Sequence, residues 1–184
     1  MKFRFLILAF LLSLHFVAIS QIDINKSYKD DFAAAYQACP DIPKGWLEAI
    51  SFTNTHCCHL TDDNYFHNDA NAMPRTYGLM GLVKDGKGYF RENLRLVSTL
   101  SGIAETEILD SPAANVLAYA KAFDHLAKEA KAAETKDYLS IIQQLSELPI
   151  GEEKDVYPMQ SMLYSMCTFL NDAKKYTSNR AYFA

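Results

Sequence analysis

From Pro112 to Lys131 the residues Val116, Tyr119, Ala120, Phe123, Leu126 and Ala130 recur three or four places apart, with Asp124, Lys128 and Lys131 on the opposite side. That spacing draws one apolar stripe along an α-helix. A half-buried strand would need apolar residues at every second place. The same period returns in Leu139, Ile142 and Leu145, and again in Met159, Met162, Leu163, Met166, Phe169, Leu170 and Ala173. Phe90, Leu94 and Val97 repeat it, as do Trp46, Leu47 and Ile50. No stretch sustains strict alternation. The predicted fold class is therefore all-α, six to seven helices with little or no β.

Local signals place the ends. Ser27, with Asp30 three places on, caps a helix over 28–38 that stops before Pro40. Pro43 opens a second helix. Asn54 to Thr76 is a polar stretch rich in Asn, Asp and His and reads as a loop. The apolar run Tyr77 to Val83 is of undecided type, and Asp85-Gly86-Lys87-Gly88 is a turn. The next helix carries Phe90 to Val97 and ends at Gly102, a natural left-handed terminator. A short helix covers Ala104 to Leu109, and Ser111-Pro112 starts the long one. Thr135 caps a helix over 136–148 that Pro149 stops, and the last helix opens near Pro158.

The first twenty residues stand apart. Lys2 and Arg4 precede the nearly unbroken apolar run Phe5–Ile19, and Ala18-Ile19-Ser20 supplies small residues at cleavage positions. That is the pattern of a secretory signal peptide. At about 15 residues the run falls short of the ~20 a bilayer needs. The expected organisation is a signal peptide over 1–20, a helical domain over 21–176 and a tail over 177–184 that begins a linker. The chain is expected to be exported, periplasmic or extracellular, with no integral membrane segment after signal removal. Of the 18 basic residues, loss of Lys2 and Arg4 leaves 16 against 22 acidic ones, a net charge of −6. No strongly basic face is available, which argues against nucleic acid as a partner.

Four cysteines follow the signal: Cys39, Cys57, Cys58 and Cys167. Outside the cytosol they can pair, in three possible ways, and one or two disulfides are expected. A bond between the neighbours Cys57 and Cys58 would be strained. The alternative is free, buried thiols. His56-Cys57-Cys58-His59 invites a zinc reading, with His67 and Asp69 nearby. Consecutive residues cannot all turn to one tetrahedral ion, so no metal and no cofactor is predicted.

The acid pairs Asp30-Asp31, Asp62-Asp63 and Glu152-Glu153 fit solvated loops or first helical turns better than paired catalysts. There is no G-x-S-x-G, no cysteine with a clear base and no phosphate-binding glycine loop. Tyr65, Phe66 and Tyr77 are candidates for stacking on sugar rings, and Tyr77 beside Gly78 is the first choice.

Three segments in order carry a resemblance. Ile42-Pro43-Lys44-Gly45-Trp46-Leu47-Glu48-Ala49-Ile50-Ser51 resembles the helix of lysozyme-like and lytic-transglycosylase domains that leads to their catalytic residue. Tyr77-Gly78-Leu79-Met80-Gly81-Leu82 resembles the G-L-M-Q-L segment along their glycan groove. Leu100-Ser101-Gly102-Ile103 and Asp110-Ser111-Pro112-Ala113-Ala114-Asn115-Val116 resemble their short helix and the D-P-x-x-N-I opening of the next. A closer likeness is to the N-terminal lysozyme-like region of secreted N-acetylmuramoyl-L-alanine amidases of Bacteroidetes type, which carries a Thr-x-Thr sequence like Thr53-Asn54-Thr55. The resemblance spans about Tyr28 to Lys131.

What the resemblance implies departs from the family at the decisive place. The family's general-acid Glu falls on Asn54, and its groove Gln on Gly81. An amide cannot donate the proton a departing sugar oxygen needs. The implied function is an exported module that engages peptidoglycan glycan strands without cleaving them, through Thr53, Asn54, Tyr77 and Met80. Two alternatives remain at this level. One is an active cell-wall hydrolase, through a displaced carboxylate (Glu48 or Asp62) or an amidase domain outside this chain. The other is a non-enzymatic envelope interaction protein.

Overall fold

A computed structural model describes residues 28–62, 74–86 and 88–172. The signal segment, the Ser27 cap, Tyr65, Phe66, His67, Asp69 and the tail over 177–184 lie outside the described residues. Seven helices and one hairpin follow in order among those described: α1 (Lys29–Ala38), α2 (Trp46–Thr55), β1 (Thr76–Tyr77), β2 (Leu82–Val83), α3 (Asn93–Ser101), α4 (Glu105–Asp110), α5 (Pro112–Ala130), α6 (Thr135–Leu145) and α7 (Glu153–Asn171). The fold class is all-α. The run left undecided by its sequence is a small antiparallel hairpin pairing Thr76 with Val83 and Tyr77 with Leu82.

The longest stripe makes the organising helix. α5 packs against α1, α3, α4 and α6, while α2 packs against α7. Val116, Ala120 and Phe123 are fully buried along α5, and the small Ala118 and Ala122 let neighbouring helices approach. Ser111 begins α5 as expected: its hydroxyl accepts the Ala114 N–H at 3.3 Å, with Pro112 in the first turn. Aromatic rings join the two packing groups. Tyr138 of α6 stacks on Phe123 at 6.0 Å and leans on Trp46 of α2 at 5.6 Å.

Several helix ends differ from the sequence reading, each for a local reason. α2 begins at Trp46, three residues after Pro43, because Gly45 (φ 91°) breaks the helical backbone. α6 is capped by Glu134 with Asp137 in a reciprocal capping box, so Thr135 is already inside the helix. α7 starts at Glu153 under a matching box of Glu152 and Asp155, which leaves Pro158 within the helix. Proline removes one backbone donor there, and the capped first turn still sets the start.

Residues 91–93 lock the hairpin to the end of α6. The Arg91 guanidinium donates to the carbonyls of Gln143 and Ser146 at 2.6 Å and Leu148 at 2.8 Å. The buried Asn93 side chain accepts from Val83 N–H at 2.7 Å and donates to Leu145 O at 2.9 Å. Beside this junction Glu147 has a buried carboxylate oxygen with no hydrogen-bond partner. Burial raises its pKa, against a smaller opposing pull from Arg91.

Two predictions follow from this packing. Phe123→Ala should cost about 3–5 kcal/mol of unfolding free energy in a urea titration, as for other buried aromatic truncations. Glu147 binds its proton more tightly folded than unfolded, so its contribution to stability falls as pH rises from the ordinary carboxyl value through the raised folded one. Glu147→Gln should therefore stabilise the protein at neutral pH and lose that advantage as the pH falls below that window. Thermal unfolding of both proteins across acid to neutral pH measures the difference.

Candidate functional site

The last turn and a half of α2 meets the loop Gly78–Gly81 through side chains of one face. Ser51, Asn54 and Thr55 lie together there because residues three and four apart share a helix face. The Leu79 carbonyl accepts from Ser51 Oγ at 2.9 Å and from Thr55 Oγ1 at 2.7 Å. Asn54 Nδ2 donates to the Met80 carbonyl at 2.9 Å. From the other side, Asn115 of α5 accepts the Met80 N–H on Oδ1 at 2.8 Å and donates from Nδ2 to Ile108 O at 3.2 Å. The Met80 peptide groups are thus held by two amides from two helices.

The loop glycines are required by this closeness. A Cβ on Gly78 (φ 71°) would stand 2.0 Å from Asn115 Nδ2, and one on Gly81 (φ 68°) would stand 2.7 Å from Asn54 Cβ. After α2 the chain reverses through two left-handed residues, His56 (φ 54°) and Cys57 (φ 57°). Such backbone costs energy for non-glycine residues. The turn carries Leu60 back to bridge Gly78, whose N–H donates to Leu60 O at 2.8 Å.

At the rim, exposed Asp62 forms an ion pair with Arg75 and accepts a hydrogen bond from Tyr77 Oη at 3.2 Å. Partial burial raises the Tyr77 phenol above its ordinary pKa, with Arg75 pulling the other way. Glu48 is placed elsewhere. It accepts the Tyr36 hydroxyl hydrogen at the opposite end of α2, while Tyr36 Oη accepts from Gly45 N–H at 2.9 Å and Leu47 N–H at 3.2 Å. Six residues separate Glu48 from Asn54, about 9 Å along the axis. Burial and the Glu48 charge together push the Tyr36 phenol far up, so Glu48 serves as a brace for the start of α2.

The structure thus gathers Asn54, Tyr77 and Asp62 around one hairpin, excludes the Met80 side chain as a sugar contact and separates Thr53 from the other candidates. Met80 is completely buried, so its side chain belongs to the core and only its peptide groups meet Asn54. Thr53 points to the other side of α2, where it lines a separate cleft with Tyr164 and Thr168. The four cysteines are free thiols, against the expected disulfides. Cys39 and Cys57 are each sunk in the core, and burial pushes the Cys57 thiol up to about 12. Among the described residues no three His, Cys, Asp or Glu side chains gather as a metal site. Ser51, Thr55 and Asn115 hold the loop, yet the sequence reading had assigned them no part. Their signals in the sequence are the motifs that contain them: Ser51 ends Ile42–Ser51, Thr55 closes Thr53-Asn54-Thr55, and Asn115 follows Ser111-Pro112.

The two amides should differ in what they cost to remove. Asn54 is half-buried and water can replace it, so Asn54→Ala should cost about 1 kcal/mol. Asn115→Ala leaves a buried N–H and a buried carbonyl without partners and should cost about 2–5 kcal/mol. Equal losses in chemical denaturation would show that the loop is not held from the α5 side. No family model matches the chain, and searches of curated proteins and of solved structures likewise give no match.

Proposed function

We propose that this chain is an exported, lysozyme-like module that binds the glycan strands of peptidoglycan without cutting them, resembling the front part of a cell-wall N-acetylmuramoyl-L-alanine amidase. The observation that carries the reading is the side chain at the end of α2. An amide, Asn54, stands over the Met80 carbonyl where a hydrolase of this build would need a proton-donating carboxyl. The neighbouring carboxylates do not replace it. Glu48 is engaged with Tyr36 at the other end of the helix, and Asp62 is exposed and ion-paired with Arg75. Tyr77 and the Asp62–Arg75 pair offer a ring and polar groups at the rim, the combination that neutral sugar units take. The apolar run after Lys2 and Arg4 supports export to where such strands occur.

The test combines sedimentation with insoluble sacculi and release of soluble muropeptides from the same sample. The native chain should sediment with sacculi and release nothing, and Tyr77→Ala should weaken the sedimentation. Asn54→Glu should begin to release fragments. A carboxyl facing the Met80 carbonyl is favoured in its protonated, donating form, which is the form a general acid must hold. Release by the native chain that is lost in Asp62→Asn or Glu48→Gln would instead make it a hydrolase. No sedimentation at all would favour a non-enzymatic interaction protein with some other partner.

A further inference from the structure

On the side of α2 away from the Leu79–Met80 loop, a cleft of about 320 Å³ opens against α7. Phe52, Thr53 and His56 form one wall and Tyr164, Ser165 and Thr168 the other. With 3.6 residues per turn, Phe52 and Thr53 leave α2 on a different side from Asn54, and His56 follows the helix in left-handed backbone. The cleft shares no wall with the loop.

Its lining is aromatic and hydroxylic. Phe52 is fixed between the rings of Phe169 at 5.0 Å and His56 at 5.2 Å. Tyr164 is 75% exposed at the rim, and Tyr157, 81% exposed, lies seven residues earlier on the same face of α7, about 10 Å away. Ser165 and Thr168 donate their hydroxyl hydrogens to Ser161 O at 3.0 Å and Tyr164 O at 2.8 Å, which leaves their oxygens as acceptors. Thr53 is different. Its hydroxyl oxygen is buried at the cleft wall and has no hydrogen-bond partner. Helical threonines usually bond back to the preceding turn, and an unmet buried hydroxyl is a cost that valine of the same shape would avoid. Among the described residues no carboxylate, lysine or arginine lines the cleft.

We propose that this cleft is a saccharide site of its own, taking one neutral pyranose ring against Tyr164 and Phe52 with a ring hydroxyl bonded to Thr53. A pyranose has an apolar face for the rings and hydroxyls that both donate and accept, which matches every group in the lining. Tyr157 is placed to take a ring further along the same strand. The proposal does not rest on the groove around Asn54, and either can fail without the other.

The test titrates chitotetraose and, separately, cellotetraose into the exported chain up to about 10 mM, a range that reaches weak millimolar binding, and follows backbone amides by NMR. Shifts are expected over 52–56 and 161–168. Tyr164→Ala and Thr53→Val should each weaken binding by about tenfold. Thr53→Val should keep or raise the melting temperature, an outcome that a merely structural threonine would not give. Asn54→Ala and Tyr77→Ala should leave this binding unchanged. The proposal is overturned if neither oligosaccharide shifts these amides, if shifts are confined to Asn54 and residues 77–81, or if both cleft variants bind as the native chain does. Sedimentation equilibrium showing a dimer that Tyr164→Ala dissociates would also overturn it, by assigning the cleft to a second copy.

Discussion

The backbone of Met80 is gripped from both directions, its N–H by Asn115 of α5 and its carbonyl by Asn54 of α2. Much else depends on this. Neither helix packs extensively against the other, so the loop between them is the polar bridge joining the α5 group to the α2–α7 pair. Asn115 reaches further to the end of α4, and Asn93 plays the matching part for Val83 and the end of α6. Three amides therefore pin one short hairpin to five helices. An amide suits this work because it donates and accepts at once, and can satisfy a backbone N–H and a carbonyl without bringing a buried charge.

That economy has a chemical consequence. In the glycan-binding reading proposed above, the amide that stabilises the α2–loop crossing also takes the place of a proton donor. A carboxylate there would face the Met80 carbonyl with like partial charge and would be tolerated chiefly when protonated. Asn54 avoids that conflict by donating its N–H to the carbonyl. Gly81 follows the same logic. Its missing side chain lets Asn54 close onto the loop, and a larger residue would hold the two apart. Asn54 and Gly81 thus act together toward tight closure of α2 onto the loop.

The sequence made the helices legible because burial on one face leaves a period that survives without knowledge of partners. α5 was readable to both ends, since Ser111-Pro112 and its apolar stripe agree. The starts of α6 and α7 were decided by reciprocal Glu–Asp caps, whose strength depends on geometry that adjacent candidates such as Thr135 mimic. The hairpin was illegible because two-residue strands carry no period. At the site, Met80 could not be judged from the sequence. A methionine beside glycines reads equally well as a groove contact or as core, and its complete burial in the fold decides for core. Thr53 and Asn54 are neighbours in the chain and 100° apart on the helix, so a motif that names both cannot say that they serve different faces.

α2 thus separates two environments. On one face every polar side chain has a partner, and the loop is drawn so close that glycine is required. On the other, α7 stands off far enough to leave a cleft with one hydroxyl unmet. Packing alone does not demand this second arrangement. Phe52 already seals α2 to Phe169, and one further apolar residue at position 53 would relieve the unpaired oxygen. A folded chain that holds an avoidable buried polar group beside solvent-facing tyrosines has kept something that its own stability does not use, and binding is the physical process that would use it.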